Sequence, residues 1–320
     1  MLMSLLWLGE AHSFPIVNGV VEEGFPTVLA LGAEFNDNAF SACTGNLITP
    51  KIVLTAAHCG GELPLSVVIE LGAAFVATEV TSYEHKLSFK DYVIHPEYRE
   101  LGTNGPYDTG SYDVSLLILE DEAPIEPTLF RSEVITEEDH GIALKAVGFG
   151  ITSASGNDSG TKRSADVILT DTDNMFVLVE NADNEDNANI CSGDSGGPTF
   201  FFDEIRDQYV QLGVHSWGDQ SCLYQSGSTR TDLISEWIFD TIEDVHGSRD
   251  ICEVNGYYTD GICTELPDCL MEDPECIVEE ELPKGACSVV GTDTYGLWLV
   301  GLMLLFPYTR KRETHHLSTT

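Results

Sequence analysis

Short runs of β-branched, leucine and aromatic residues recur along the chain. Thr27–Leu31, Val67–Leu71, Val114–Leu119 and Tyr209–Val214 are each bounded by glycine, proline or polar clusters. Runs of that length and composition predict strands, and their recurrence predicts an all-β protein. The pattern changes at both ends. Leu2 to Leu8 form a short apolar run, and Ala11-His12-Ser13 behind it is similar to a signal-peptidase site, so residues 1–15 read as leader and propeptide. The run lacks a positively charged start, which leaves the true beginning of the leader open. Beyond the strand-bearing residues 16–247, the segment 248–288 turns acidic, rich in cysteine and poor in large apolar side chains. Too small to build much of a core, it reads as a spacer held by disulfides. Residues 289–320 carry an apolar stretch, Tyr295 to Tyr308, followed by Arg310-Lys311-Arg312.

Charge excludes one class of partner. With 53 acidic and 15 basic residues the formal net charge is −38, whereas nucleic-acid binding needs a basic surface to neutralise phosphates. Such acidity favours solubility at the cost of self-repulsion. Calcium could relieve that repulsion, but no ligand spacing assigns it a site, and no CxxC pair or histidine cluster points to zinc.

Three motifs carry chemistry, in this order: Leu54-Thr55-Ala56-Ala57-His58-Cys59, Tyr112-Asp113-Val114-Ser115-Leu116-Leu117 and Cys191-Ser192-Gly193-Asp194-Ser195-Gly196-Gly197-Pro198. A serine hydroxyl needs an adjacent base to become a nucleophile at neutral pH. Histidine accepts and returns a proton near that pH. Asp113 enters the apolar run Val114, Leu116, Leu117, Ile118 and Leu119, so it is expected to be buried, and a buried carboxylate needs a partner. His58 is the natural one.

The ordered set resembles the trypsin/chymotrypsin family of serine proteases over about residues 16–245. That resemblance implies two six-stranded antiparallel β-barrels with a cleft between them. It implies peptide-bond hydrolysis through an acyl-enzyme, without an organic cofactor. Ser195 would be the nucleophile, His58 the general acid/base and Asp113 the carboxylate that orients it. The N–H groups of Gly193 and Ser195 would form the oxyanion hole, each such donor worth roughly 10²–10³ in rate. Val147-Gly148-Phe149-Gly150 is similar to the segment opening the second half of the domain, and Leu233 to Ile242, with Trp237-Ile238-Phe239, to the family's closing helix. Ser216-Trp217-Gly218 resembles the strand that pairs with substrate. Asn189 falls on the floor of the primary specificity pocket, with Ile190 beside it and Gly227 on the opposite wall. A neutral floor argues against strong preference for a basic side chain, which would be desolvated without a counter-charge. Asp219 is the alternative source of one.

Ile16-Val17-Asn18-Gly19 resembles the mature N-terminus of the family, whose freed ammonium would pair with Asp194, making the longer chain a zymogen. The family's basic residue before Ile16 is replaced by Phe14-Pro15, so a trypsin-like self-cut is not expected; an X-Pro dipeptidase acting after cleavage behind Ser13 would expose Ile16.

Nine cysteines imply an oxidising compartment. The resemblance pairs Cys43 with Cys59 and Cys191 with Cys222. Of Cys252, Cys263, Cys269, Cys276 and Cys287, four would form two bridges with three pairings open; Cys287 is the candidate odd thiol. Tyr295 to Tyr308 as a helix spans roughly 21 Å, short of a ~30 Å hydrocarbon core. A short apolar segment with a basic end resembles bacterial C-terminal sorting tags, the preceding cysteine the myxobacterial type, and implies sorting machinery and membrane contact. The alternative is a plain marginal transmembrane anchor. The expected setting is secreted or cell-surface, with protein or peptide substrates. A non-catalytic binding protein of the same fold, or adhesion through residues 251–287, is the competing reading.

Overall fold

The computed structural model describes residues 16–61, 63–100, 111–181, 187–204 and 207–259, together with Cys269 and Met271. All lie within one compact unit, Met1–Val278. The leader, Cys263, Cys276, Cys287 and the apolar tail lie outside the described residues. A brief strand, β1 (Val20–Val21), precedes the first half. That half contains β2 (Val28–Phe35), β3 (Asn38–Thr49), β4 (Ile52–Thr55), β5 (Gly72–Val76), β6 (His85–Ile94) and β7 (Ser115–Leu119). They close into an antiparallel barrel in the order β2-β3-β4-β7-β6-β5. Closure removes the edges and surrounds Leu29, Leu47, Val53, Ala74 and Leu117, all buried.

The second half contains β8 (Ala143–Gly148), β9 (Arg163–Ile168), β10 (Asp171–Thr172), β11 (Phe176–Glu180), β12 (Pro198–Asp203), β13 (Gln208–Gly218) and β14 (Gln225–Arg230). Here the expected closed six-stranded barrel is not what the hydrogen bonds form. They form an eight-stranded sheet in the order β1-β9-β8-β12-β13-β14-β11-β10. The two-residue strands β1 and β10 occupy the outer edges of β9 and β11, so those two longer strands do not pair with each other.

Of the four strand-like runs, three are strands: β2 starts at Val28 and runs on to Phe35, β7 starts at Ser115, and β13 extends its run to Gln208–Gly218. Val67–Leu71 is not: it lies in helix α1 (Leu65–Leu71), entered through Pro64. A five-residue apolar run has no decisive period of its own. Here Pro64 is the N-cap, its carbonyl accepting the N–H groups of Val67 and Val68, and β5 begins immediately behind the helix and takes the barrel position. The closing helix α2 (Ser235–His246) buries Ile238, Phe239 and Ile242 and ends at Gly247 in the left-handed region, φ 76°.

The segment expected to be a spacer from 248 begins as part of the core. Helix α3 (Ile251–Asn255) is capped by buried Asp250, whose carboxylate accepts the N–H of Cys252 and Glu253. Ile251, Cys252 and Tyr258 join Ile48, Ile52, Leu116, Ile238 and Ile242 in one apolar cluster. The Tyr258 hydroxyl donates to Asp250 at 2.9 Å. Three disulfides are described: Cys43–Cys59 and Cys191–Cys222, as the resemblance implied, and Cys252–Cys269, which selects one pairing among those open. Among the described residues no helix is long and apolar enough to cross a membrane.

Candidate active site

The three motifs converge between the halves. His58 sits in the 3-10 turn Ala57–Gly60 that leaves β4, tied to β3 through Cys59–Cys43. Asp113 stands just ahead of β7, after Tyr112, which holds φ 46°. Ser195 lies on the turn before β12, its carbonyl accepting the Thr44 N–H of β3 at 2.8 Å. Asp113 is 2 % exposed. Its Oδ2 is 2.7 Å from His58 Nδ1, and its Oδ1 accepts the His58 backbone N–H at 3.0 Å. The Ser216 hydroxyl donates a third bond to Oδ2, 2.7 Å long. A carboxylate accepts only, so Nδ1 carries a hydrogen and Nε2 keeps its lone pair. Among the described residues the Ser195 hydroxyl makes no hydrogen bond to His58.

Gly193 holds φ 96°, a value that favours glycine, and turns its carbonyl onto the Thr44 hydroxyl at 2.9 Å. Among the described residues neither the Gly193 N–H nor the Ser195 N–H has an acceptor. Gly196, φ 81°, backs onto β4, and a Cβ there would lie 2.0 Å from the Thr55 hydroxyl.

Ile16 and Asp194 are both fully buried. Asp194 accepts the N–H groups of Gly150 and Cys191, both at 2.8 Å, and burial pushes its carboxyl up to about 7. In the continuous chain the Ile16 nitrogen is an amide and no ion pair forms. Val17 instead pairs in a β-bridge with Asn189, and Ile16 carries φ 39°, a strained value for a β-branched residue.

A pocket of about 110 Å³ opens beside Ser195. Ile190, Ser216, Trp217 and Gly218 line it, joined by Ser192, His215 and Asp219. Asn189 does not line it. It is buried behind Ile190, its Oδ1 accepting from the Ile190 N–H and from the Ser226 hydroxyl at 2.6 Å. Gly227 does not line it either: it pairs with Trp217, and a Cβ there would sit 2.3 Å from the indole Nε1. The residue opposite Gly218 is Ser226; the register shift between His215 and Trp217 puts it there in place of Gln225, and puts Gly227 opposite Trp217.

Asp219 is no free counter-charge. Its carboxylate takes the hydroxyl and N–H of Ser221 and the N–H groups of Leu223, Tyr224 and Gln225. Partial burial raises its pKa, but those donors outweigh burial and hold it down at about 2. It anchors the loop 219–225. Sequence reasoning missed His215 and Ser226, and gave Ser216 only a substrate-facing role; the register of β13 against β14 was the missing information. The one trio of metal-ligating residue types among the described residues is Cys43, His58 and Cys59, and its two cysteines are joined as a disulfide.

Known proteins agree with this architecture. The trypsin family profile matches residues 22–238. The chain is 27% identical over 230 residues to clotting factor C of Tachypleus tridentatus and to Limulus clotting factor C of Carcinoscorpius rotundicauda, covering 62% of this chain and 22% of each relative. It is 28% identical over 226 residues to CLIP domain-containing serine protease B10 of Anopheles gambiae, covering 61% of this chain and 60% of that protein. The chain thus spans about a fifth of the two clotting factors and three-fifths of the mosquito protease. These relatives are arthropod proteins and lend no support to a bacterial sorting tag. With more than half of its residues matched by the profile, the chain belongs to the trypsin family, a family of serine-type endopeptidases.

Proposed function

We propose that the chain hydrolyses peptide bonds through an acyl-enzyme on Ser195. The observation that carries this reading is the 2.7 Å bond between His58 Nδ1 and Asp113, which leaves Nε2 as the base, next to two unengaged N–H groups at Gly193 and Ser195. His58 Nε2 takes the Ser195 hydroxyl proton as Oγ attacks the scissile carbonyl. The Gly193 and Ser195 N–H groups receive the developing oxyanion. His58 then protonates the leaving amine, and water repeats the sequence on the ester. A long or absent Ser195–His58 bond in a substrate-free site is compatible with this, because such bonds tighten on binding. These steps call for no organic cofactor.

Activation frees the Ile16 amine, which then supplies the cation that Asp194 lacks. The processing enzyme is an X-Pro dipeptidase acting on Phe14-Pro15. Three disulfides favour an oxidising, extracellular setting. The apolar tail attaches the enzyme at a surface, through sorting machinery or as an anchor, and cell fractionation with and without residues 289–320 tests that.

The decisive experiment is peptide hydrolysis by protein beginning at Ile16, with Ser195→Ala as control. Hydrolysis lost in the control supports the reading. Equal rates in both proteins, or none in either with the Ile16 amine verified, refute it and favour a binding role. N-terminal sequencing of naturally active protein tests the processing step; a chain starting at Phe14 excludes it.

A further inference from the structure

We propose that the cavity between α1 and the first barrel binds a neutral, hydrocarbon-like small molecule. The cavity holds about 230 Å³ and shares no lining residue with the pocket beside Ser195. Leu63 ahead of α1, with Val67, Val68 and Leu71 within it, forms one wall. Strands β2, β3 and β6 form the other. The space is open because several lining residues are small: Ala33 on β2, Ala42 on β3, and Gly60 and Gly72 on either side of the helix in sequence. An empty cavity destabilises a fold in proportion to its volume, and a ligand that fills it restores part of the loss.

The chemistry of the lining selects the ligand. Among the described lining residues none carries a charge. The polar side chains are already engaged. The Thr55 hydroxyl donates to the Thr44 carbonyl at 2.8 Å, and the Tyr92 hydroxyl to the Ala57 carbonyl at 2.9 Å. Burial raises the Tyr92 phenol above its ordinary value, so it stays neutral, and Cys43 and Cys59 are joined as a disulfide. A charged ligand would therefore lose its hydration with nothing to replace it. A chain of net charge −38 also repels anions. A docked protein segment would bring backbone N–H and C=O groups that this lining cannot pair. A hydrocarbon needs no polar partner. An apolar cavity of roughly 150 Å³ already takes benzene. The larger volume here admits a ring bearing a short alkyl chain.

The entrance has the same character. Phe35 and Phe40 stack with their rings 5.9 Å apart at the β2–β3 hairpin. Both line the cavity and are exposed, as are Leu63 and Leu71. Exposed apolar side chains gathered around one cavity mark an interaction site. A second copy of the chain is the competing occupant, and like charge opposes it. The site stands apart from the protease reading and does not depend on it.

The test uses the full-length Ser195→Ala protein, which avoids self-digestion, and probes of matched size: butylbenzene, 4-butylbenzoate and 4-butylbenzylammonium. Binding is followed by calorimetry and by thermal melts. Butylbenzene should saturate a single site and raise the melting temperature by about 3 °C at roughly tenfold excess over Kd. Both charged probes should bind at least about 10-fold more weakly. Val67→Trp should fill the space and weaken butylbenzene binding by about 10-fold or more. Ala42→Phe, from the barrel wall, should do the same and covers the case of a Val67 variant that does not fold. Failure of butylbenzene to bind, equal binding of all three probes, or undiminished binding in the folded variants overturns the proposal. Binding that appears only after removal of residues 289–320 also overturns it, by assigning the cavity to the chain's own apolar tail. A dimer in sedimentation that both variants abolish does so too, by assigning the face to a second copy. Each of these outcomes leaves the protease reading intact.

Discussion

Cutting the chain before Ile16 should stabilise the fold, and increasingly so toward neutral pH. Two Ser195→Ala proteins make the comparison without self-digestion: the full chain and a chain beginning at Ile16. In the full chain Asp194 is fully buried with two N–H donors and no cation within ion-pair distance among the described residues. Burial lifts its carboxyl from an ordinary 3.8 to about 7. The folded state therefore holds the proton more tightly than the unfolded state. That stabilisation is complete below about pH 4 and is lost as pH rises toward 7. A change of that size corresponds to about 4 kcal/mol. Gly148 and Gly150 press against the carboxylate so closely that a Cβ on either would overlap it, so the group cannot swing away cheaply. A free Ile16 ammonium supplies the missing charge. It also removes the peptide bond that defines φ 39° at Ile16, a strain of roughly 1–3 kcal/mol that adds a pH-independent offset. Thermal melts of both proteins from pH 4 to pH 7 are the assay. The gap in melting temperature should widen by about 10 °C over that range. Parallel curves would refute the reasoning, because they would mean Asp194 does not titrate differently in the two forms.

Three further outcomes follow from named contacts. Ser216→Ala removes the 2.7 Å bond to Asp113 and should lower kcat/KM about 10-fold with little change in melting temperature, read by peptide hydrolysis and a thermal melt. Replacing Cys252 and Cys269 by alanine opens a crosslink between residues 17 apart and should cost about 3 kcal/mol, measured by urea unfolding against the intact protein. Gly227→Ala places a Cβ 2.3 Å from the Trp217 indole nitrogen and should displace the ring from the pocket wall, raising KM by about 10-fold or more while melting changes far less.

The sequence by itself determined the family and the candidate site. His58, Asp113 and Ser195 are each ambiguous alone, a histidine beside a cysteine, an acid entering an apolar run and a serine among glycines, and it is their occurrence together in that order that carried the reading. The structure brings the first two together with Ser216 and sets the third on a turn before β12, and it holds the Cys43–Cys59 and Cys191–Cys222 bridges that the resemblance implied. Strand runs at 27–31, 114–119 and 209–214 were legible because composition and flanking turn residues agree. Val67–Leu71 was not, since a five-residue apolar run suits either helix or strand, and the barrel position went to β5 directly behind it. Only the tertiary structure decided what pairing register decides. The shift between His215 and Trp217 put Gly227 opposite Trp217 and Ser226 opposite Gly218, and the Ser226 hydroxyl holds Asn189, which does not line the pocket. Likewise the core extends through Tyr258 because α3 finds an apolar face on α2 and the first barrel, a surface that exists only once both are folded. Local motifs mark the candidate residues; register, which moves a side chain to the other face with a single step, fixes which side chains line the pocket beside them.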